Sequence, residues 1–175
     1  MLYTKVGDKG LTTIFDCKKN FLKSSLRIEA LGSLDELNSL LGFCKVKSLE
    51  VKPPIGGLTS KTLEDIQNDL FILQGEVAGC GKGIKKNRRT EIEKIIDKIE
   101  KKLPKIKNFI ISGGTELSAL LDYSRAVARR AERRCVASKK NISPESLKYL
   151  NRLSSLLFAL ARYVNLGIKE KHPRY

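Results

Sequence analysis

No tryptophan occurs among the 175 residues and aromatics make up 6% of them, so the chain lacks the interleaved rings on which single-strand nucleic-acid binders stack bases. Histidine occurs once, as His172. The four cysteines, Cys17, Cys44, Cys80 and Cys135, stand far apart with no CxxC pairing. Together these scarcities exclude a structural zinc site and a Cys/His catalytic pair. There is no apolar run of about 18 residues, and the opening MLYTKVGDKG has no signal-peptide core, so a cytoplasmic protein with reduced cysteines and no membrane partner is expected. No GxxxxGK[ST] loop is present, which removes the Walker A route to nucleotide binding. Acids are also short, at Asp+Glu 19 against Lys+Arg 34, and the formal charge of +15 attracts phosphates, nucleic acid or an anionic surface. Many lysines, as in KKNFLK and DKIEKKLPKIK, read as solvated surface. A polyphosphate ligand therefore fits the charge better than nucleic acid does.

What is present begins with an ordinary globular composition, 41% hydrophobic and 30% charged, long enough for one domain with a proper core. The most informative stretch is FIISGGTELSALLDYSRAVARRAERR, residues 109–134. Gly113-Gly114 breaks an apolar run, Thr115 is placed to cap, and Glu116 puts a carboxylate in the first turn of a helix. Helical spacing gathers Leu117, Leu120, Leu121, Ser124, Ala128, Ala131 and Cys135 on one face. Arg125, Arg129 and Glu132, at i, i+4, i+7, form a stripe along its border. Such a stripe is either a solvated face with an internal ion pair or the edge of a site for one ligand or partner.

Residues 1–25 form a basic, glycine-punctuated, irregular arm. Gly7 and Gly10 allow close backbone approach and Lys5 supplies charge, so it reads either as a phosphate cradle or as a flexible terminus. The first helix is expected from Leu26 to about Val46, with Ser33 and Glu36 as a capping box and Leu31, Leu34, Leu37, Leu41 and Cys44 inward. Residues 47–61 carry Pro53-Pro54 and Gly56-Gly57 and read as a loop, after which Thr62 and Asp65 open a second helix that stops near Gly79. GCGKGIKKNRR reads as a solvated connector. A third helix spans Thr90 to Leu103 before Pro104, and Ser143-Pro144-Glu145 starts a fifth that ends near Gly167. Five helices with no alternating strand pattern imply an all-α bundle over 26–167, with a short tail at 168–175, in one domain.

TKVGDKGLTT at 4–13, GSLDELNSLLG at 32–42, FIISGG at 109–114, SRAVARRAERR at 124–134 and YLNRLSSLLF at 149–158, taken in order, resemble the PduO-type ATP:cob(I)alamin adenosyltransferases. That resemblance implies a homotrimer of five-helix bundles with active sites between subunits, ATP under the arm and the corrinoid above it. It carries ATP contacts onto Thr4, Lys5, Val6, Gly7, Thr12, Thr13, Lys23, Arg129, Arg130, Ala131, Glu132, Arg133 and Asn151. Asp35 and Arg125 match an inter-subunit ion pair. In the implied reaction cob(I)alamin attacks the 5′ carbon of ATP and triphosphate departs, its growing charge met by Lys5, Lys23, Arg129 and Mg²⁺. No general base is required. Phe109 matches a phenylalanine beneath the corrin ring that displaces the lower axial ligand of cob(II)alamin and eases its reduction; a plain core aromatic is the other reading of that residue. A flavoprotein reductant and an adenosylcobalamin-dependent enzyme are the implied partners.

The chain departs from the family pattern at Cys17-Lys18, where a Gly-Gly is common, at Asn20 for arginine, at Ser112 for proline and at Ser155 for an acid. Its tail after Asn165 is also shorter than those that help cover the corrinoid. Two further readings remain: a basic bundle that binds nucleic acid through its lysines, and an ATP- or corrinoid-binding sensor or carrier.

Overall fold

A computed structural model describes residues 5, 7–14, 19–79, 81–138 and 142–174. Five helices make up most of it: α1 Leu26–Ser48, α2 Ile55–Ala78, α3 Lys86–Glu100, α4 Glu116–Ala137 and α5 Pro144–Val164. Helices α1, α2, α5 and α4 pack in a ring, and α3 lies against α5. The core is aliphatic, with Leu34, Leu37, Leu41, Leu70, Leu73, Leu121, Leu150, Leu153 and Leu157 among its fully buried side chains.

The arm is not wholly irregular. Leu11–Thr13 (β1) and Asn20–Leu22 (β2) pair antiparallel, with Thr12 opposite Phe21. Three residues per strand are too few for alternation to stand out, which is why the pattern of the sequence did not suggest them.

Two helix starts and one expected cap differ from the sequence expectation. Helix α1 begins at Leu26, so Ser33 and Glu36 lie inside it, and the Ser33 hydroxyl donates to the Glu29 carbonyl at 2.9 Å instead of capping. Helix α2 begins seven residues before Thr62, at Ile55, and takes in both glycines. A Cβ at Gly56 would stand 2.1 Å from the Val51 carbonyl oxygen, so this glycine lets the first turn of α2 sit on the end of α1. Helix α3 begins at Lys86 because Arg88 and Arg89 are anchored, Arg88 to Asp69 at 2.9 Å and Arg89 to Glu145 at 2.5 Å and Glu93 at 2.8 Å. The starts of α4 and α5 fall where expected, with Thr115 accepting from Ser118 N–H and Ser143 from Ser146 N–H.

Arg89 joins α3 to α5, and its hydrogen bonds hold the carboxyls of Glu93 and Glu145 below the ordinary value of 4.5. Protonating them is therefore harder in the folded chain than in the unfolded one. Their contribution to stability is complete above the ordinary carboxylate pKa and is lost as pH falls through the depressed values. Thermal denaturation should show a fall in Tm below about pH 4 that is smaller in Arg89→Ala. An equal acid slope in the two proteins would remove this seam as its source.

Candidate active site

The Gly113-Gly114 turn is held by one side chain. Asn165, at the end of α5, uses its amide nitrogen to reach the Gly113 carbonyl at 2.6 Å and the Ser118 hydroxyl at 2.8 Å. Its amide oxygen accepts from the Thr115 N–H at 3.1 Å and the Thr115 hydroxyl at 3.0 Å. Gly114 has φ 110, and a Cβ there would stand 2.5 Å from that amide nitrogen. The glycine is thus required both by its left-handed backbone and by the clamp.

Beside this turn lies a cleft of about 750 Å³ between the segment 106–110 and the border of α4 and α5. Arg125, Arg129, Ser154, Ser155 and Phe158 face it. Phe109 also lines it and is 78% exposed, which corrects the core-aromatic reading: its ring has no packing to lose. The Arg125 guanidinium lies 5.9 Å from the Phe158 ring centroid, and its Nε is 3.5 Å from Asp122. That Nε is buried without a hydrogen bond, because the Asp122 contact has ion-pair distance only.

Arg129 faces a second pocket as well, about 480 Å³, shared with Glu132, Arg133 and Asn151. The Asn151 amide donates to Glu132 at 3.2 Å, and its oxygen accepts from Arg152 at 2.8 Å, so this pair is pre-positioned. Arg129 is exposed and forms no hydrogen bond or ion pair among the described residues, so the solvated ion-pair reading of the α4 stripe does not hold for it. Ala131 is fully buried, and its side chain is turned into the core, away from both pockets.

The other expected site residues lie elsewhere on the chain. In the arm, Lys5 adopts φ 61, uncommon for a residue with a side chain, and Asp8 N–H and Gly10 N–H close successive turns onto the Lys5 and Gly7 carbonyls. A Cβ at Gly7 would stand 3.0 Å from the Lys23 amine, so that amine lies directly over the turn. Lys23 and Arg130 line a pocket of about 540 Å³ along α1, where Arg130 pairs with Glu36. Thr12, Thr13 and Asp35 line another, about 510 Å³, and Asp35 has no partner among the described residues. Thr4, Val6, Cys17 and Lys18 lie outside the described residues.

Thus the chain carries two separate groups of these residues: a basic arm with Lys23 beside α1, and an arginine edge with an apolar cleft beside α5. A sequence model of the family described as cobalamin adenosyltransferase matches residues 2–164. The chain belongs to the cobalamin adenosyltransferase family. It is 41% identical over 171 residues to the corrinoid adenosyltransferase of Bacillus subtilis (strain 168), covering 94% of this chain and 86% of that protein. To corrinoid adenosyltransferase MMAB of Homo sapiens it is 35% identical over 184 residues, 97% of this chain and 72% of that one. Its fold superposes on a variant of the PduO-type ATP:corrinoid adenosyltransferase from Lactobacillus reuteri complexed with cobalamin and ATP, with a TM-score of 0.87 and 33% identity over 100% of this chain and 96% of that chain. As a member of the family, the chain is a corrinoid adenosyltransferase, moving the 5′-deoxyadenosyl group of ATP to the cobalt of cob(I)alamin or a related corrinoid and releasing triphosphate.

Sequence reasoning missed Asn165 and Phe158. Asn165 carried one weak signal, a polar residue with hydrogen-bonding capacity at a helix end just before Gly167. Phe158 looked like one more core residue of a leucine-rich helix.

Proposed function

We propose that the transfer takes place between two protomers. One supplies the arm, with Lys5 and the Gly7 turn under Lys23, to the phosphates; its neighbour supplies Arg129, Arg133, Glu132 and Asn151 to the nucleotide and the Phe109 cleft to the corrinoid. The observation that carries this reading is Arg129, a guanidinium without a partner among the described residues, at the junction of the apolar cleft and the polar pocket. There it lies between a flat apolar substrate and a triphosphate whose charge grows as the C5′–O bond breaks. Mg²⁺ bound together with the nucleotide would neutralise part of the leaving charge. No helix of the described chain is long and apolar enough to cross a membrane, and we place the reaction in the cytoplasm. There a flavoprotein reductant and an adenosylcobalamin-dependent enzyme are its partners.

The assembly that completes such a site is a homotrimer. It is supported by the separation of the half-sites and by exposed Phe43 and Val46 on α1, Leu49 just after it, and Phe71 and Ile72 on α2. The unsatisfied Arg125 Nε and the unpaired Asp35 on a different face suit an ion pair across the interface. Removing one member of such a pair strands the other, a loss of about 3–5 kcal/mol. Light scattering should therefore find a trimer for the wild type and dissociation or sharply reduced turnover for Asp35→Ala. A monomeric wild type at micromolar concentration contradicts the assembly; an intact and active Asp35→Ala trimer contradicts the pair. The reaction itself is tested by mixing the protein with ATP and chemically reduced cobalamin and recording the adenosylcobalamin spectrum. Absence of the product, with DNA or RNA binding instead, would replace the enzyme reading by the nucleic-acid one.

A further inference from the structure

Phe109 is 78% exposed, so nothing packed around its ring can aim it. The backbone that bears it is tied down from three directions. Before it, the Pro104 carbonyl accepts from Arg162 Nη2 at 2.8 Å. After it, Asn165 clamps Gly113 and Thr115. In between, the tail following α5 turns back along the segment: Ile111 N–H donates to the Lys171 carbonyl at 2.8 Å, and His172 Nδ1 donates to the Phe109 carbonyl at 2.8 Å. Arg162 also fixes the tail itself, its Nε donating to Glu170 at 2.7 Å, and its side chain is only 7% exposed. One buried guanidinium in the last turn of α5 thus ties down both segments.

We infer that residues 168–172 act as a brace that sets the position of Phe109, with Arg162 and Glu170 as positioning residues for the corrinoid half-reaction. This rests on the proposed role of Phe109 beneath the corrin ring. The physical reason is that an exposed ring displaces an axial ligand only if its backbone resists being pushed back. A segment without regular secondary structure, running from Pro104 to Gly114, resists only through its hydrogen-bonded anchors. The tail holds the main chain at Phe109 and Ile111 through the His172 side chain and the Lys171 carbonyl, and the Arg162–Glu170 bond keeps the tail in register. Loss of that bond should leave ATP binding unchanged, since among the described residues Glu170 bonds Arg162 and the pocket it lines holds none of the ATP half-site residues.

The test uses Glu170→Ala, Glu170→Gln, Phe109→Ala and the double variant Phe109→Ala/Glu170→Ala. Each is assayed with pre-reduced cob(I)alamin and with cob(II)alamin reduced on the enzyme, alongside Tm and the electron paramagnetic resonance spectrum of bound cob(II)alamin with ATP. Glu170→Ala should lower the cob(II)alamin route about ten- to a hundredfold and diminish the four-coordinate signal while the cob(I)alamin route stays near wild type. Tm should fall, because the buried Arg162 loses its ion-pair partner and keeps the Pro104 carbonyl, and the split between the two routes is the deciding readout. Glu170→Gln should recover most of the loss, because its amide oxygen still accepts from Arg162, and the double variant should be no worse than Phe109→Ala alone. If Glu170→Ala matches wild type on both routes while Phe109→Ala loses the cob(II)alamin route, the brace is wrong and the role of Phe109 stands. Equal losses on both routes with a lowered Tm make Glu170 a stability residue and overturn the brace. Should Phe109→Ala itself spare the cob(II)alamin route, the role of Phe109 fails and the inference falls with it.

Discussion

Arg129→Ala should lower kcat/KM for ATP by about ten- to a hundredfold, the equivalent of a charge-assisted bond of about 1.5–3 kcal/mol to a phosphate oxygen. The effect should appear without a change in Tm. Arg129 is exposed, has no partner among the described residues to strand, and lies on a helix capped by Thr115 and packed against α1 and α5, where alanine is a good helix former. Arg129→Lys should fall between the two, since it keeps the charge but loses the planar fork that grips two oxygens at once. As a control, Lys85→Ala and Lys86→Ala remove two exposed charges at the start of α3, which line none of the pockets around Arg129. They should change salt sensitivity and little else. A wild-type kcat/KM in Arg129→Ala would remove the triphosphate from this edge. A large loss in the lysine variants would instead point to an extended anion such as nucleic acid.

Much of the bundle is legible in the sequence because burial repeats at the helical period. Ile66, Leu70, Leu73 and Val77 on α2, and Leu150, Leu153, Leu157 and Leu160 on α5, are all buried as their spacing requires. The caps at Thr115 and Ser143 are equally local, since donor and acceptor lie three residues apart. Helix starts that depend on tertiary contacts are not legible in this way. Gly56 reads as a breaker until the carbonyls of Ser48 and Val51 are seen against it, and Arg88 joins α3 only because Asp69 and Tyr149, from two other helices, form a buried polar cluster. For the site, the stripe Arg125, Arg129, Glu132 was visible as spacing, but its division between two pockets was not. The Asn165 clamp joins residues about fifty positions apart and leaves no periodic trace.

Phe109→Ala should separate two uses of the corrinoid. Phenylalanine in a core costs about 3–5 kcal/mol to truncate, but this ring is exposed, so Tm should stay close to wild type. ATP binding should also persist, because Phe109 lines the apolar cleft and not the pocket of Glu132, Arg133 and Asn151. With pre-reduced cob(I)alamin the cobalt already holds the electron pair that attacks the 5′ carbon and needs no lower ligand removed, so most of the turnover should survive. With cob(II)alamin the enzyme must first make the cobalt easier to reduce, and a ring held against the lower face does so by excluding the axial ligand. Alanine cannot reach that position, and this route should lose most of its activity. Phe109→Trp, which keeps an aromatic face in the same cleft, should retain more of the cob(II)alamin route than alanine does. Equal losses on both routes, together with a large drop in Tm, would make Phe109 a packing residue and leave the reduction step to the reductant alone.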